Sequence, residues 1–200
     1  ARTVSVDQSG SASVPGSAGV LAGSKGVLDL DGNGSYVELP VGVFKDLGEA
    51  TVEGWVLWRS FGQWSRFFDV GEPWREITVT VSNNGPALAY NLVLSKENDV
   101  HFSPGNQLET NRWVHIAAVM GVGGAKLYLN GELIGSNPTA ISFKALGETG
   151  RSLLGRNVWK TSADSQLTDM DGLMEEVRVW SVARTQEQIR ENLPKTLTGD

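Results

Sequence analysis

Short β-type segments separated by turn residues recur along most of this 200-residue chain. Residues 27–39, VLDLDGNGSYVEL, alternate apolar and polar side chains on both sides of a turn sequence, and residues 51–58, TVEGWVLW, are rich in β-branched and aromatic residues. About a dozen such segments follow one another at the spacing typical of two-sheet antiparallel proteins. The 24 glycines suit a chain with many turns. The sequence therefore predicts an all-β, two-sheet antiparallel β-sandwich that forms one domain over residues 1–200.

Several turn sequences predict hairpins. SNNGPA separates strands predicted at residues 76–82 and 88–94, and Asn130-Gly131 interrupts a later strand pair. A type I′ hairpin turn needs positive φ at both central positions, which asparagine and glycine tolerate. The sequence DGNG at residues 31–34 is equally good turn chemistry, and a hairpin is expected there too.

The last predicted strand, LMEEVRVW at residues 173–180, carries two adjacent glutamates. Strict alternation sends Glu175 and Glu176 to opposite faces of the sheet and places Val177 and Val179 on the face of Glu175. Because the two carboxylates then point away from each other, they are not expected to act together on one substrate.

A short helix is predicted after that strand. Thr185 and Gln188 have the T-x-x-Q spacing of a capping box, in which each side chain bonds the backbone N–H of the other residue. Ile189 and Leu193 are four residues apart and give the helix an apolar edge, and Pro194 ends it. We expect this helix to cover one end of the sandwich.

Composition excludes several kinds of partner and chemistry. The chain has 17 Lys and Arg against 23 Asp and Glu, a net charge of −6, and no basic run, so nucleic-acid binding is not expected. No apolar run approaches the length of a membrane span, so membrane insertion is not expected either. Without cysteine, neither disulfides nor thiol catalysis are available. Residues 1–25 predict a loop-rich start with one strand from Thr3 to Val6, and residues 194–200 are linker-like.

Five blocks of sequence resemble, in order, the laminin G-like or concanavalin A-like jelly rolls of bacterial surface proteins. The blocks are VLDLDGNGSYVELP, ATVEGWVLWRSFGQWSRFFDVG, NRWVHIAAVMGVGGAKLYLNGELIG, SLLGRNVW and MDGLMEEVRVWSVARTQEQI. The resemblance implies a jelly-roll fold and a module of a longer extracellular or cell-surface protein. It also implies that neighbouring domains, a glycan or an extracellular protein are its partners. The fold hosts lectins, glycanases, adhesion modules and spacers, so function needs residue-level arguments.

Catalysis is not expected from this chain. Related laminarinase-type enzymes carry paired carboxylates in an E-x-D-x-x-E-like strand, because one acid protonates the leaving oxygen while the other attacks or activates water. That pattern is absent here. Of the two histidines, His115 lies inside a predicted strand, where packing is the commoner role, and His101 has no evident partner.

Loop tryptophans predict a carbohydrate-binding surface. Trp64, Trp74 and Trp159 fall in loops rich in Gly, Pro or Asn, and an indole can stack on the apolar face of a sugar ring. Side chains that could bond sugar hydroxyls lie nearby in the sequence, namely Arg156, Asn157 and Asp164. The alternative is that Trp64 and Trp159, which match family positions, are structural plugs, and that the domain is a structural or adhesive spacer that binds no sugar.

One calcium ion is a further expectation. Many members of this fold bind calcium, which takes oxygen ligands. Candidate ligands are Asp29, Asp31 and Asn33 near the first strand and Asp169, Asp171 and Glu175 near the last. The resemblance implies that these two strands lie side by side, so the groups could converge. Glu76 is the nearest match to the rim acid of true laminin G modules.

Overall fold

The computed structural model describes residues 26–95, 97–148, 150–160 and 167–194. The predicted strand from Thr3 to Val6, the rest of the loop-rich start and residues 195–200 of the linker-like tail lie outside these ranges. The described residues form β1 (Leu28–Asp31), β2 (Val37–Glu38), β3 (Ala50–Ser60), β4 (Arg66–Glu72), β5 (Arg75–Val81), β6 (Leu88–Val93), β7 (Asp99–Phe102), β8 (Val114–Met120), β9 (Ala125–Leu129), β10 (Glu132–Asn137), a 3-10 turn (Phe143–Leu146), β11 (Arg151–Leu154), β12 (Asp171–Trp180) and α1 (Gln186–Asn192).

The strands form two antiparallel sheets of six strands each. The first sheet has the order β1-β12-β3-β8-β9-β10, and the second sheet has the order β2-β11-β4-β5-β6-β7. The first and last strands are paired, with Asp31 opposite Asp171, as the family resemblance implied. The all-β sandwich with a short C-terminal helix that the sequence predicts is therefore confirmed.

The core lies between the two sheets and is built by strand alternation. Its largest fully buried side chains are Trp58, Tyr90, Phe67, Phe68 and Phe143. In β5, every second residue points inward, so Ile77, Val79 and Val81 join this core. The intervening residues of β5 point to the outer face of the second sheet, where the candidate site lies.

The predicted hairpins are partly confirmed. β5 pairs with β6 across SNNGPA, and Asn130 and Gly131 both adopt positive φ between β9 and β10. The expected hairpin at DGNG is wrong, because β1 belongs to the first sheet and β2 to the second. DGNG instead begins a crossover between the sheets. Asp31 holds the turn by accepting hydrogen bonds from the Asn33 backbone and the Ser35 hydroxyl.

A β-bulge changes the expected faces of the last strand. The pairing of β12 with β3 shifts between Glu175 and Arg178, and Glu176 has a φ of 52°. The extra residue inverts the alternation. Glu175, opposite Trp55, therefore lies on the outer face, while Val177 and Val179 pack on the core. The predicted grouping of Glu175 with these valines is wrong.

The helix begins where the sequence predicts. The Gln188 backbone N–H donates to the Thr185 hydroxyl at 3.3 Å, and the Thr185 backbone N–H donates to Gln188 Oε1 at 2.9 Å. Ile189 is fully buried against Ala117, Val119 and Tyr128. The helix thus lies on the outer face of the first sheet rather than over an end of the sandwich. Within the described ranges, no helix is both long and apolar enough to cross a membrane.

Candidate functional site

A pocket of about 600 Å³ lies on the outer face of the second sheet. We call it the tryptophan pocket, because three of the loop tryptophans line it. β4 to β7 supply its floor and one wall, and Asn157, Trp159 and Leu167 supply the other wall. Its described lining residues are Trp64, Arg66, Trp74, Glu76, Ser82, Ala89, Asn91, Val93, Asp99, His101, Phe102, Ser103, Asn157, Trp159 and Leu167.

Two of these tryptophans have unusual backbone conformations. Trp74 lies in the two-residue turn between Glu72 and Arg75 with a φ of 69°, and Trp64, before β4, has a φ of 53°. Left-handed backbone is disfavoured by about 1–2 kcal/mol per residue outside glycine, and turn positions of this kind normally take glycine or asparagine. Bulky residues held there at a pocket are a recognised mark of a functional site.

Trp74 and Trp159 meet at an angle rather than forming a flat surface. Their ring centroids are 4.5 Å apart and the ring planes cross at 76°. Trp74 is 53% exposed, while Trp64 and Trp159 are half-buried. Trp159 is fixed by two hydrogen bonds, from its indole N–H to Glu76 at 2.7 Å and from its backbone N–H to Asn157 at 2.8 Å. The two indoles therefore form an angled corner in the pocket wall.

Below this corner, two carboxylates share one guanidinium. Arg66 Nε donates to Asp69 Oδ2 at 3.1 Å, and Arg66 Nη2 is 3.9 Å from Glu76 Oε1. All three residues are buried. Within the described part of the chain, Arg66 Nη1 and Asp69 Oδ1 have no hydrogen-bond partner. Buried polar groups normally have a partner from protein or water, so this donor and this acceptor have bonding capacity to spare.

The arrangement changes the acidity of both acids. Burial, followed by the negative charge of Asp69, raises the pKa of Glu76 to about 8, although Arg66 and the Trp159 indole N–H oppose the shift. Burial also raises the pKa of Asp69 despite its contact with Arg66. One guanidinium does not offset two buried carboxylates, so the pair retains a proton near neutral pH.

Only part of the predicted set of hydroxyl-binding residues reaches the pocket. Asn157 lines it. Arg156 does not line the pocket, because its guanidinium is bound elsewhere. The guanidinium donates to both oxygens of Asp169 at 2.8 Å and stacks over the Tyr36 ring. Asp164 lies outside the described residues. Arg156 is therefore a structural clamp for the loop that carries Asn157 and Trp159.

The polar residues on the far side of the pocket were not predicted from the sequence. Asn91 in β6, Asp99 and His101 in β7, and Ser103 all line it. His101 Nδ1 lies 3.0 Å from Asp99 Oδ1. A signal was present, since Leu88, Tyr90 and Leu92 alternate as core residues and leave Asn91 on the outer face. Alternation alone did not show that this outer face belongs to a pocket.

Two of the predicted calcium ligands, Asp29 and Asp171, lie close together, but one arginine already binds both carboxylates. Arg59 Nη2 is 2.5 Å from Asp29 Oδ1, and its Nη1 is 3.3 Å from Asp171 Oδ1. Asp31 is bound to Asn33 and Ser35, and Asp169 is bound to Arg156 and Lys160. No three His, Asp or Glu side chains within the described ranges are grouped to hold a metal. This donor set does not fit calcium, and calcium binding stays a prediction.

Chelator treatment decides between the calcium ion predicted from the sequence and the arginine cross-link found in the structure. Because the Arg59 guanidinium already cross-links Asp29 and Asp171, excess EDTA is expected to leave the thermal midpoint unchanged by differential scanning fluorimetry. Arg59→Met is expected to cost about 1 kcal/mol, as for partly exposed ion pairs. A fall of the wild-type midpoint in EDTA that added calcium reverses would contradict the first expectation and support a metal site.

A family model described as the concanavalin A-like lectin/glucanases superfamily matches residues 31–190. The chain therefore belongs to this superfamily. No curated protein matches the chain.

Solved structures with the same fold include proteins described by their carbohydrate ligands. Domain 4 of AbnA, an extracellular arabinanase from Geobacillus stearothermophilus in complex with arabinotriose, has a TM-score of 0.65 at 19% identity, over 91% of this chain and 81% of that chain. The CBM40 of a Ruminococcus gnavus sialidase bound to α2,3-sialyllactose has a TM-score of 0.63 at 15% identity, over 74% and 83% of the two chains.

A longer structure also contains this fold. A candidate carbohydrate-binding protein from Bacteroides ovatus has a TM-score of 0.59 at 23% identity. The match covers 79% of this chain but only 44% of that protein. At these identities the similarity shows a shared fold, and the ligand of this chain must be argued from its own pocket.

Proposed function

We propose that this domain is a non-catalytic carbohydrate-binding module of an extracellular protein and that the tryptophan pocket is its binding site. The observation that carries the proposal is the corner of Trp74 and Trp159 above Arg66, Glu76 and Asn157. Sugars present apolar ring faces and hydroxyls that both donate and accept hydrogen bonds. The pocket offers indole faces for the apolar ring faces, and hydrogen-bond donors and acceptors for the hydroxyls.

The pocket has the size and composition of a small-ligand site. Ligand pockets of roughly 300–1,000 Å³ combine apolar walls with a few fixed polar groups, and the tryptophan pocket falls within that range. Its polar floor is held in place before any ligand arrives, because Glu76 is bonded to Trp159 and Arg66 to Asp69. Such preorganisation lowers the entropy lost on binding.

The fold neighbours support an extracellular location and a modular setting. One is a domain of an extracellular arabinanase, and another has this fold in less than half of its chain. By this proposal, the module holds a larger protein on its glycan, and neighbouring domains of the same protein supply any catalytic activity.

Replacing Trp74 tests the proposal. The purified domain is applied to a glycan array that includes neutral, acidic and amino oligosaccharides, and the best-binding glycan is titrated by calorimetry. Trp74→Asn is expected to raise the Kd about 30-fold, since tryptophans at the centre of binding sites contribute about 2 kcal/mol. Asparagine tolerates the positive φ of this turn, so the thermal midpoint should be retained.

A matched control separates the pocket from the rest of the surface. Val122 is 83% exposed and lies in the turn between β8 and β9, outside the pocket. Val122→Ala is expected to bind like the wild type. Equal affinity of Trp74→Asn and wild type, or no binding to any array glycan, would reject the proposed site and leave the spacer role.

A further inference from the structure

The buried charges below the tryptophan pocket balance only through a retained proton. Arg66 is the only described lining residue with a permanent positive charge. Its guanidinium faces two carboxylates, Asp69 and Glu76, and none of the three side chains is more than 7% exposed. A buried carboxylate without a full counter-charge is unfavourable. The site therefore reaches neutrality only by keeping one proton on the Asp69–Glu76 pair.

The walls of the pocket also favour a cation. Asp99 places a third carboxylate among the lining residues, on β7. Trp64, Trp74 and Trp159 bring indole faces to the same space, and an ammonium group is attracted to an indole face. Arg66 cannot bind an anionic ligand strongly, because its charge is already engaged by Asp69 and Glu76.

From these carboxylates and indole faces we propose that the tryptophan pocket selects amino sugars whose nitrogen is a free ammonium group, over neutral and anionic sugars. This inference rests on the proposed carbohydrate-binding function and adds the ligand class. The sugar ring stacks in the corner of Trp74 and Trp159. The ammonium lies near Glu76 and Asp99 and takes the place of the retained proton.

The inference has a consequence that ordinary sugar binding does not share. The proton retained by the Asp69–Glu76 pair is displaced when an ammonium enters, because one positive charge replaces the other. Glu76 faces Arg66 and Asp69 on β4 and Trp159 on the opposite wall. Asp99 and His101, on β7, line the same pocket. Binding of an amino sugar is then coupled to proton release, whereas binding of a neutral sugar is not.

Calorimetry with matched oligosaccharides tests the inference. The probes share a β1,4-linked gluco backbone and differ at C2: a chitosan tetrasaccharide with free ammonium groups, its N-acetylated chitin counterpart and cellotetraose. A tetra-galacturonate serves as the anionic probe. At about pH 6, where such ammonium groups are charged, the chitosan probe is expected to bind at least about tenfold more tightly than the others, which corresponds to about 1.4 kcal/mol. Titrations in two buffers of different ionisation enthalpy should show proton release with this probe only.

Variants assign the effect to named carboxylates. Asp99→Asn should reduce the preference for the chitosan probe, and Glu76→Gln should abolish the proton release. Glu109→Gln removes a carboxylate that is exposed and outside the pocket and should change neither. Equal or tighter binding of the neutral or anionic probe would overturn the amino-sugar inference but keep the proposed function. Absence of binding to all probes and to the wider array would reject both.

Discussion

Replacing Glu53 with alanine is expected to lower the free energy of unfolding by about 3–5 kcal/mol, the cost of leaving a buried ion pair without one partner. Glu53 on β3 is fully buried on the outer face of the first sheet. Arg184 Nη1 donates to both of its carboxylate oxygens at 2.8 and 3.0 Å, and the Trp180 indole N–H donates to it at 2.9 Å. Arg178 lies 3.7 Å away.

The loss should be greatest around the C-terminal helix. Arg184 also donates to the Gln188 carbonyl, so Glu53 joins the sheet to the first turn of α1. Urea unfolding followed by circular dichroism measures the free energy, and hydrogen exchange reports whether α1 opens first. Glu53→Gln, which keeps an acceptor for Trp180, is a milder variant that should still fold. Glu38→Ala removes a half-exposed partner of Arg151 and should cost less than about 1 kcal/mol. Similar losses for Glu53→Ala and Glu38→Ala would contradict the expectation.

The buried polar network also accounts for His115. Burial, with the charges of Arg178 and Arg184 nearby, lowers the pKa of His115 to about 4. Its ring packs edge-on against Trp55 at 5.4 Å between centroids. A neutral, packed histidine in β8 agrees with the structural role that its place in a strand predicts, and it lies on the opposite sheet from the tryptophan pocket.

Local features of the fold could be predicted because they depend on neighbouring residues. The strands, the SNNGPA and Asn130-Gly131 hairpins and the Thr185–Gln188 capping box each follow from a few adjacent side chains. The DGNG crossover could not be separated from a hairpin, since the same turn chemistry serves both and the choice depends on which sheet receives β2. The bulge at Glu176 could not be predicted either, because it depends on how β12 pairs with β3.

The sequence predicted some of the residues that form the site but not how they are arranged in space. Trp64, Trp74 and Trp159 were singled out because tryptophan is unusual in loops, and all three line one pocket. Arg66 and Asp69 beneath them were missed, because they look like ordinary charges of exposed strand faces, and Glu76 was singled out only as the match to a rim acid. Nothing in the sequence showed that Arg156 has a partner, yet it donates to Asp169, thirteen residues later. Partners at such separations are set by the tertiary fold.

The pH dependence of stability is the second large effect expected, and Glu76→Gln isolates it. Burial and the charge of Asp69 raise the pKa of Glu76 from 4.5 to about 8. A raised acid pKa means that the folded state holds a proton that the unfolded state has released. The contribution of Glu76 to stability is therefore full below about pH 4.5, falls as pH rises towards 8, and is lost above the folded pKa. The fall is on the order of 3–5 kcal/mol, since one pKa unit corresponds to about 1.4 kcal/mol.

Glutamine has the shape of protonated glutamate and can still accept the hydrogen bond from the Trp159 indole through its amide oxygen. Glu76→Gln is therefore expected to match the wild type at low pH and to exceed its free energy of unfolding at high pH. Urea unfolding at about pH 5, 7 and 9 measures the free energy of unfolding of both proteins. The other titrating groups are the same in both, so the difference reports on Glu76. Glu109→Gln, which removes an exposed carboxylate, should follow the wild-type curve. Parallel pH profiles for wild type and Glu76→Gln would mean that Glu76 ionises normally and that Arg66 suffices for both buried acids.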